Sequence, residues 1–103
     1  MELEVKWSTE AQLKLNKNLE YLEEEWNIEV ILNFLNELDK TVKNIAKNPN
    51  LGRWDSDWDC RRILIVEQIT MFYEIVEDTK ESSYIQVITL WNNRKKPIKK
   101  LFT

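Results

Sequence analysis

At 103 residues and 43% hydrophobic content, the chain is long enough for one compact core and too short for two ordinary domains, so residues 1–103 are expected to form a single domain. One Gly and two Pro leave no room for a flexible linker or a low-complexity segment, one Cys excludes an intramolecular disulfide, and the absence of His excludes the usual zinc sites and removes the side chain best suited to proton transfer near neutral pH. The net charge of -3 is unevenly spread: residues 1–50 hold 6 Lys/Arg against 10 Asp/Glu, residues 51–103 hold 9 against 8, and Arg94, Lys95, Lys96, Lys99 and Lys100 crowd the last ten positions with no acid among them.

The opening MELEVKWSTE is charged where a signal peptide needs an apolar run, and no later segment approaches the roughly 20 apolar residues of a membrane span. A cytoplasmic protein with no membrane contact is expected. Leu3, Val5 and Trp7 alternate with charged residues, the period of a short strand with one buried face. Thr9 with Gln12 fits a capping box and predicts a helix start there. Ala11, Leu15, Leu19, Leu22 and Trp26 then form one stripe at helical spacing. After a break at Asn27, a second stripe of Ile31, Phe34, Leu35, Leu38, Val42 and Ile45 predicts another helix, which stops near Asn48 and Pro49 because proline cannot donate into it. Neither stripe can hide the other completely, so the helix hairpin must also lie on something flat.

Three β-rich runs supply it, at 62–66, 69–76 and 84–91. A tight turn near Glu67 and Gln68 joins the first two, and the polar stretch 78–83 joins the next pair. The expectation is an α+β domain of order β-α-α-β-β-β, with an antiparallel helix hairpin packed on one face of a small, mainly antiparallel sheet.

Between hairpin and sheet, Gly52 in NPNLGRW is expected to turn the chain through a positive φ. The following DSDWD copies the alternating acids of a calcium loop but places Cys60 at the sixth position and Val66 at the twelfth, where glycine and a bidentate glutamate are needed, so no metal and no cofactor are expected. Trp54 and Trp58 are expected to fold back over the helix hairpin rather than to form a sticky surface. Arg61 and Arg62 open an apolar strand and must point to opposite faces, with Arg62 sharing the parity of Leu64 and Val66. An arginine there can fork onto a phosphate or carboxylate, or pair with Glu67 or Glu74. Tyr73 is either a core aromatic with a satisfied hydroxyl or a polar tip at a site. Arg94, Lys95 and Lys96 directly follow the last strand, where they could bind phosphate, seat an acidic partner or simply be solvated.

In order, KWSTEAQLKL, YLEEEW, NPNLGR, RRILIVEQITMFYEI and IQVITLWNNRKKP span nearly the whole chain and together resemble the ParE/RelE superfamily, the toxin halves of bacterial type II toxin-antitoxin pairs. The resemblance implies a helix hairpin on a small antiparallel sheet, and a growth-arresting, plasmid-stabilising toxin held by its cognate antitoxin in a hetero-oligomeric complex. It also implies one of two targets: DNA gyrase for ParE-like members, or messenger RNA on the translating ribosome for RelE-like endoribonucleases. In the nuclease case Arg62, Tyr73 and Arg94 resemble the family's catalytic sheet-face residues; otherwise Arg61, Arg94, Lys95 and Lys96 are the expected contacts to target or antitoxin. Thr70 stands where a further arginine is frequent, and KKLFT lacks the terminal His or Tyr of many nuclease members. These departures favour a non-enzymatic, ParE-like inhibitor, with RNA cleavage as the alternative and an inactive or repurposed binding module as a second.

Overall fold

A computed structural model describes residues 2–25, 27–79 and 82–93. The elements run β1 (Glu4–Trp7), α1 (Thr9–Glu25), α2 (Ile28–Lys47), β2 (Arg53–Asp55), β3 (Cys60–Val66), β4 (Ile69–Thr79) and β5 (Ser82–Asn92). They form one five-stranded sheet of order β1-β5-β4-β3-β2, in which only the β1–β5 pair is parallel. The expected α+β architecture is present with one strand more than predicted. β2 escaped because three residues are too few to set up a readable alternation.

The helix starts are set by side chains. Ser8, not Thr9, caps α1: its Oγ accepts the Ala11 N–H at 3.0 Å and donates to the Ile88 carbonyl at 2.9 Å. The second bond explains the one-residue displacement from the expected capping box. β5 carries a bulge between the Phe72–Thr89 and Tyr73–Val87 pairs, and Ser8 takes up the carbonyl of the extra residue, fastening the helix start to the sheet. Asn27 caps α2, its Oδ1 accepting the Val30 N–H at 3.1 Å.

Both helices lie on one face of the sheet. Ala11 and Leu22 of α1 and Phe34, Leu38 and Ile45 of α2 pack against Ile65, Ile69, Met71, Tyr73, Ile85, Val87 and Leu90. Leu35, expected in the buried stripe, is 39% exposed; with Ile28 and Leu32 it lies on the outer side of α2. Burying the large side chains of this core contributes roughly 1.5–3 kcal/mol each relative to exposure, which is what holds so short a chain together. Among the described residues no helix is long and apolar enough to cross a membrane.

The opposite face has a different cover. Phe72, fully buried, pairs with Arg62 on one side and Thr89 on the other, and Trp58 stacks on its ring at a centroid distance of 4.4 Å. Trp58 thus packs as a tryptophan of this loop was expected to, but on the sheet face away from the helices; Trp54 is 54% exposed, beneath the Arg61 guanidinium. DSDWD is the turn that carries Trp58 there. The Asp55 carboxylate accepts the N–H groups of Asp57 at 2.9 Å and Trp58 at 3.1 Å, and Asp59 takes the left-handed conformation, φ 54°, which Asp tolerates.

Candidate target and antitoxin surface

The two adjacent arginines of β3 have separate environments, as strand geometry requires. Arg61 pairs in register with Tyr73 and Arg62 with Phe72, so Arg61 points to the helix side and Arg62 to the other. Arg61 donates to the carbonyls of Gly52 at 2.8 Å and Asn50 at 3.4 Å, tying the loop after α2 to the sheet. Its guanidinium is therefore occupied by main-chain oxygens.

Tyr73 is fully buried. Its hydroxyl donates to the Pro49 carbonyl at 2.8 Å and accepts the Gly52 N–H at 2.8 Å. Burial pushes its pKa above the usual 10, outweighing the opposite pull of the Gly52 hydrogen bond and of Arg61. Gly52 does not have a positive φ, contrary to expectation. What requires glycine is proximity, since a Cβ there would lie 2.6 Å from the Tyr73 hydroxyl and 2.7 Å from a ring carbon.

On the open face Arg62 forms an ion pair with Asp55 at 3.5 Å rather than with Glu67 or Glu74. Asp55 was not visible as a partner because it reaches Arg62 only through β2. The same strand places Arg53 directly opposite Arg62. Arg53, Arg62, Leu64 and Thr70 line a concavity of about 260 Å³, two guanidiniums at a shallow site. Leu64 keeps the parity of Arg62 and is 59% exposed, but a bulge at Ile65 turns Val66 into the core.

Of the residues expected for RNA cleavage, Arg62 and Tyr73 lie on opposite faces of the sheet, and Arg94 lies outside the described residues, as do Lys95 and Lys96. The residue before Arg94 is held firmly. Asn93 receives the Thr70 hydroxyl on Oδ1 at 3.0 Å, and donates its amide side chain to the Glu67 carbonyl at 3.1 Å and its backbone N–H to Gln68 at 2.7 Å. The roles of Arg53, Asp55 and Asn93 left no sequence pattern, since each depends on a cross-strand neighbour.

Cys60 is buried beside Asp55, its partner in the β2–β3 register. Burial pushes its thiol up to about 11, with the carboxylates of Asp55, Glu74 and Asp59 adding to the shift. It is an unreactive core thiol at neutral pH.

A helix pair on one side of a five-stranded, mostly antiparallel sheet, with Arg53 and Arg62 on the other, defines a small α+β fold. The sequence profile of the ParE toxin of the type II toxin-antitoxin system, parDE, matches residues 5–97, and the chain belongs to that family. Among solved structures, a YoeB/ParE toxin from Agrobacterium tumefaciens is similar with a TM-score of 0.59 at 10% identity, covering 87% of this chain and 98% of that one; this likeness shows the fold. Comparison by sequence with curated proteins returns no match.

Proposed function

We propose that this toxin acts as a non-enzymatic inhibitor of DNA gyrase, neutralised by a cognate antitoxin. The observation that carries the reading is the enclosure of Tyr73. Cleaving RNA requires a group to take the 2′-OH proton and another to protonate the leaving oxygen. The one tyrosine placed by the family resemblance has its hydroxyl engaged twice on the far side of the sheet from Arg62, and the concavity around Arg62 offers two guanidiniums, a leucine and a threonine whose hydroxyl is given to Asn93. Guanidiniums stabilise charge but do not exchange protons near neutral pH. Among the described residues, this composition supports binding over cutting.

Purified toxin added to gyrase and supercoiled DNA should accumulate trapped double-strand breaks. Unchanged supercoiling with no trapped breaks at excess toxin would sink the proposal. A second reading, a ribosome-dependent endoribonuclease, draws on the Arg53 and Arg62 pair as a phosphate seat; codon-associated cuts after induction that disappear in Arg62→Ala would establish it instead.

The antitoxin surface we infer is the outer edge of β3. β2 pairs only with Cys60, Arg61 and Arg62, so among the described residues 63–66 have no strand on that side. An added strand there would satisfy main-chain groups and cover the exposed Leu64.

A further inference from the structure

The apolar stripe of α1 carries one polar residue on its buried side. Asn18, 5% exposed, falls between Leu15 and Leu22 on the stripe that faces the sheet. Its Nδ2 donates to the Lys14 carbonyl at 2.8 Å. A carbonyl only accepts, so the amide is fixed with Oδ1 turned away from that bond. Among the described residues nothing donates to this oxygen.

Asn18 lines a cavity of about 110 Å³ between α1 and the end of β5, together with Lys14, Lys17, Leu90, Trp91 and Asn92. That is several times the roughly 10–15 Å³ that holds one water and well below the roughly 300–1,000 Å³ of a site for a drug-sized ligand. It takes the head of a single side chain. Lys14 and Lys17 stand one turn apart on the same side of α1, a spacing at which like charges repel. Glu10 and Glu20 are within helical reach of them, yet among the described residues neither lysine forms an ion pair. Arg62, in contrast, already shares its charge with Asp55. Two uncompensated ammoniums at a small cavity call for an anion.

The oxygen of Asn18 decides which anion. A phosphodiester presents only acceptors and would leave Oδ1 unpaired, and the cavity has no room for the sugars on either side of it. An aspartate or glutamate within a polypeptide offers a carboxylate to the lysines and a main-chain N–H to the amide oxygen. We propose that this cavity seats one acidic side chain of a protein partner, its carboxylate between Lys14 and Lys17 and a neighbouring N–H on Asn18. The seat lies two strands from the outer edge of β3, about 10 Å across the sheet. It is therefore a separate anchor from the antitoxin edge inferred above, and it does not depend on whether the target is gyrase or RNA.

The test is an NMR titration of the full-length protein, at low and constant ionic strength, with N-acetyl-glutamate methylamide, acetate, dimethyl phosphate and inorganic phosphate. The blocked glutamate should shift the backbone amides of Lys17 and Leu90 and the side-chain amide of Asn18, saturating in the millimolar range. Its dissociation constant should be about threefold or more below that of acetate, the worth of one neutral hydrogen bond. Lys14→Gln/Lys17→Gln, at positions that are not buried, should weaken it roughly tenfold or more. Asn18→Leu should abolish the preference over acetate while acetate itself still binds. No shift at these residues, an unaltered response in the double variant, or either phosphate binding more tightly than the blocked glutamate overturns the proposal. The order of the four probes on the unsubstituted chain stands whether or not Asn18→Leu folds.

Discussion

Tyr73 and Gly52 meet across 21 positions of chain, and each explains the other. The tyrosine closes the loop after α2 through two hydrogen bonds at 2.8 Å, and the missing Cβ of Gly52 leaves the space for its ring. Gly52→Ala should therefore cost about 1–3 kcal/mol through overpacking, read as a lower denaturation midpoint with an unchanged denaturant slope. Tyr73→Ala in the Gly52→Ala background should not repeat that penalty, since the clash has gone. Cys60 makes a second residue-scale prediction. Its folded pKa is about 11 against a reference of 9.0, so from pH 9 to 11 the unfolded chain has released a proton that the folded chain retains. Stability is unaffected below pH 9 and falls as pH rises through that window. Cys60→Ala should flatten the decline in a urea titration repeated at several alkaline pH values, leaving a residual slope from the raised pKa of Tyr73, which has the same sign at higher pH.

The secondary-structure elements are fastened to one another at their ends. Ser8 caps α1 and holds the β5 bulge with a single hydroxyl, while the N–H of Leu3 bonds the Ala46 carbonyl at 3.0 Å, joining the start of the first strand to the last turn of α2. Ser8→Ala should lower stability by about 1 kcal/mol or somewhat more, the cap and the sheet bond being lost together. Thr9→Ala, at the position where the sequence placed the cap, should change it by less than about 0.5 kcal/mol. Thermal melts of the two variants side by side decide between the caps. The sequence placed both helices to within a few residues because their apolar stripes repeat over many turns. It misplaced the cap because Ser8 and Thr9 are both competent, and only the Ile88 carbonyl distinguishes them.

For the molecule as a whole, function follows from what the two sheet faces and the free edge present. The helices occupy one face, Trp58 roofs Phe72 on the other, and Arg53, Arg62 and Leu64 line a concavity beside the outer edge of residues 63–66, where among the described residues no strand pairs. Leu64→Glu should leave stability within about 0.5 kcal/mol because the side chain is already 59% exposed. It should weaken antitoxin binding roughly tenfold or more, the worth of a buried leucine in affinity terms, measured by titration calorimetry against the purified antitoxin. Unchanged affinity would move the antitoxin off this edge.

Element type, the order of the long elements and the toxin family were legible in KWSTEAQLKL through IQVITLWNNRKKP, because helical stripes, strand runs and motif order are properties of neighbours along the chain. The side of the sheet to which Arg61, Arg62 and Tyr73 belong was not. Strand parity relates residues of one strand only until a bulge intervenes, as at Ile65 and Ile88, and it does not say which face the helices cover. The three-residue β2, the Asp55 partner of Arg62, the close approach that requires Gly52 and the anchoring of Asn93 all arise from residues brought together across strands. The sequence by itself therefore determined the kind of protein and the materials of its surface. Only the tertiary structure decided which of those side chains hold the fold together and which remain free to meet a partner, because burial and hydrogen-bond partnership are set by long-range packing.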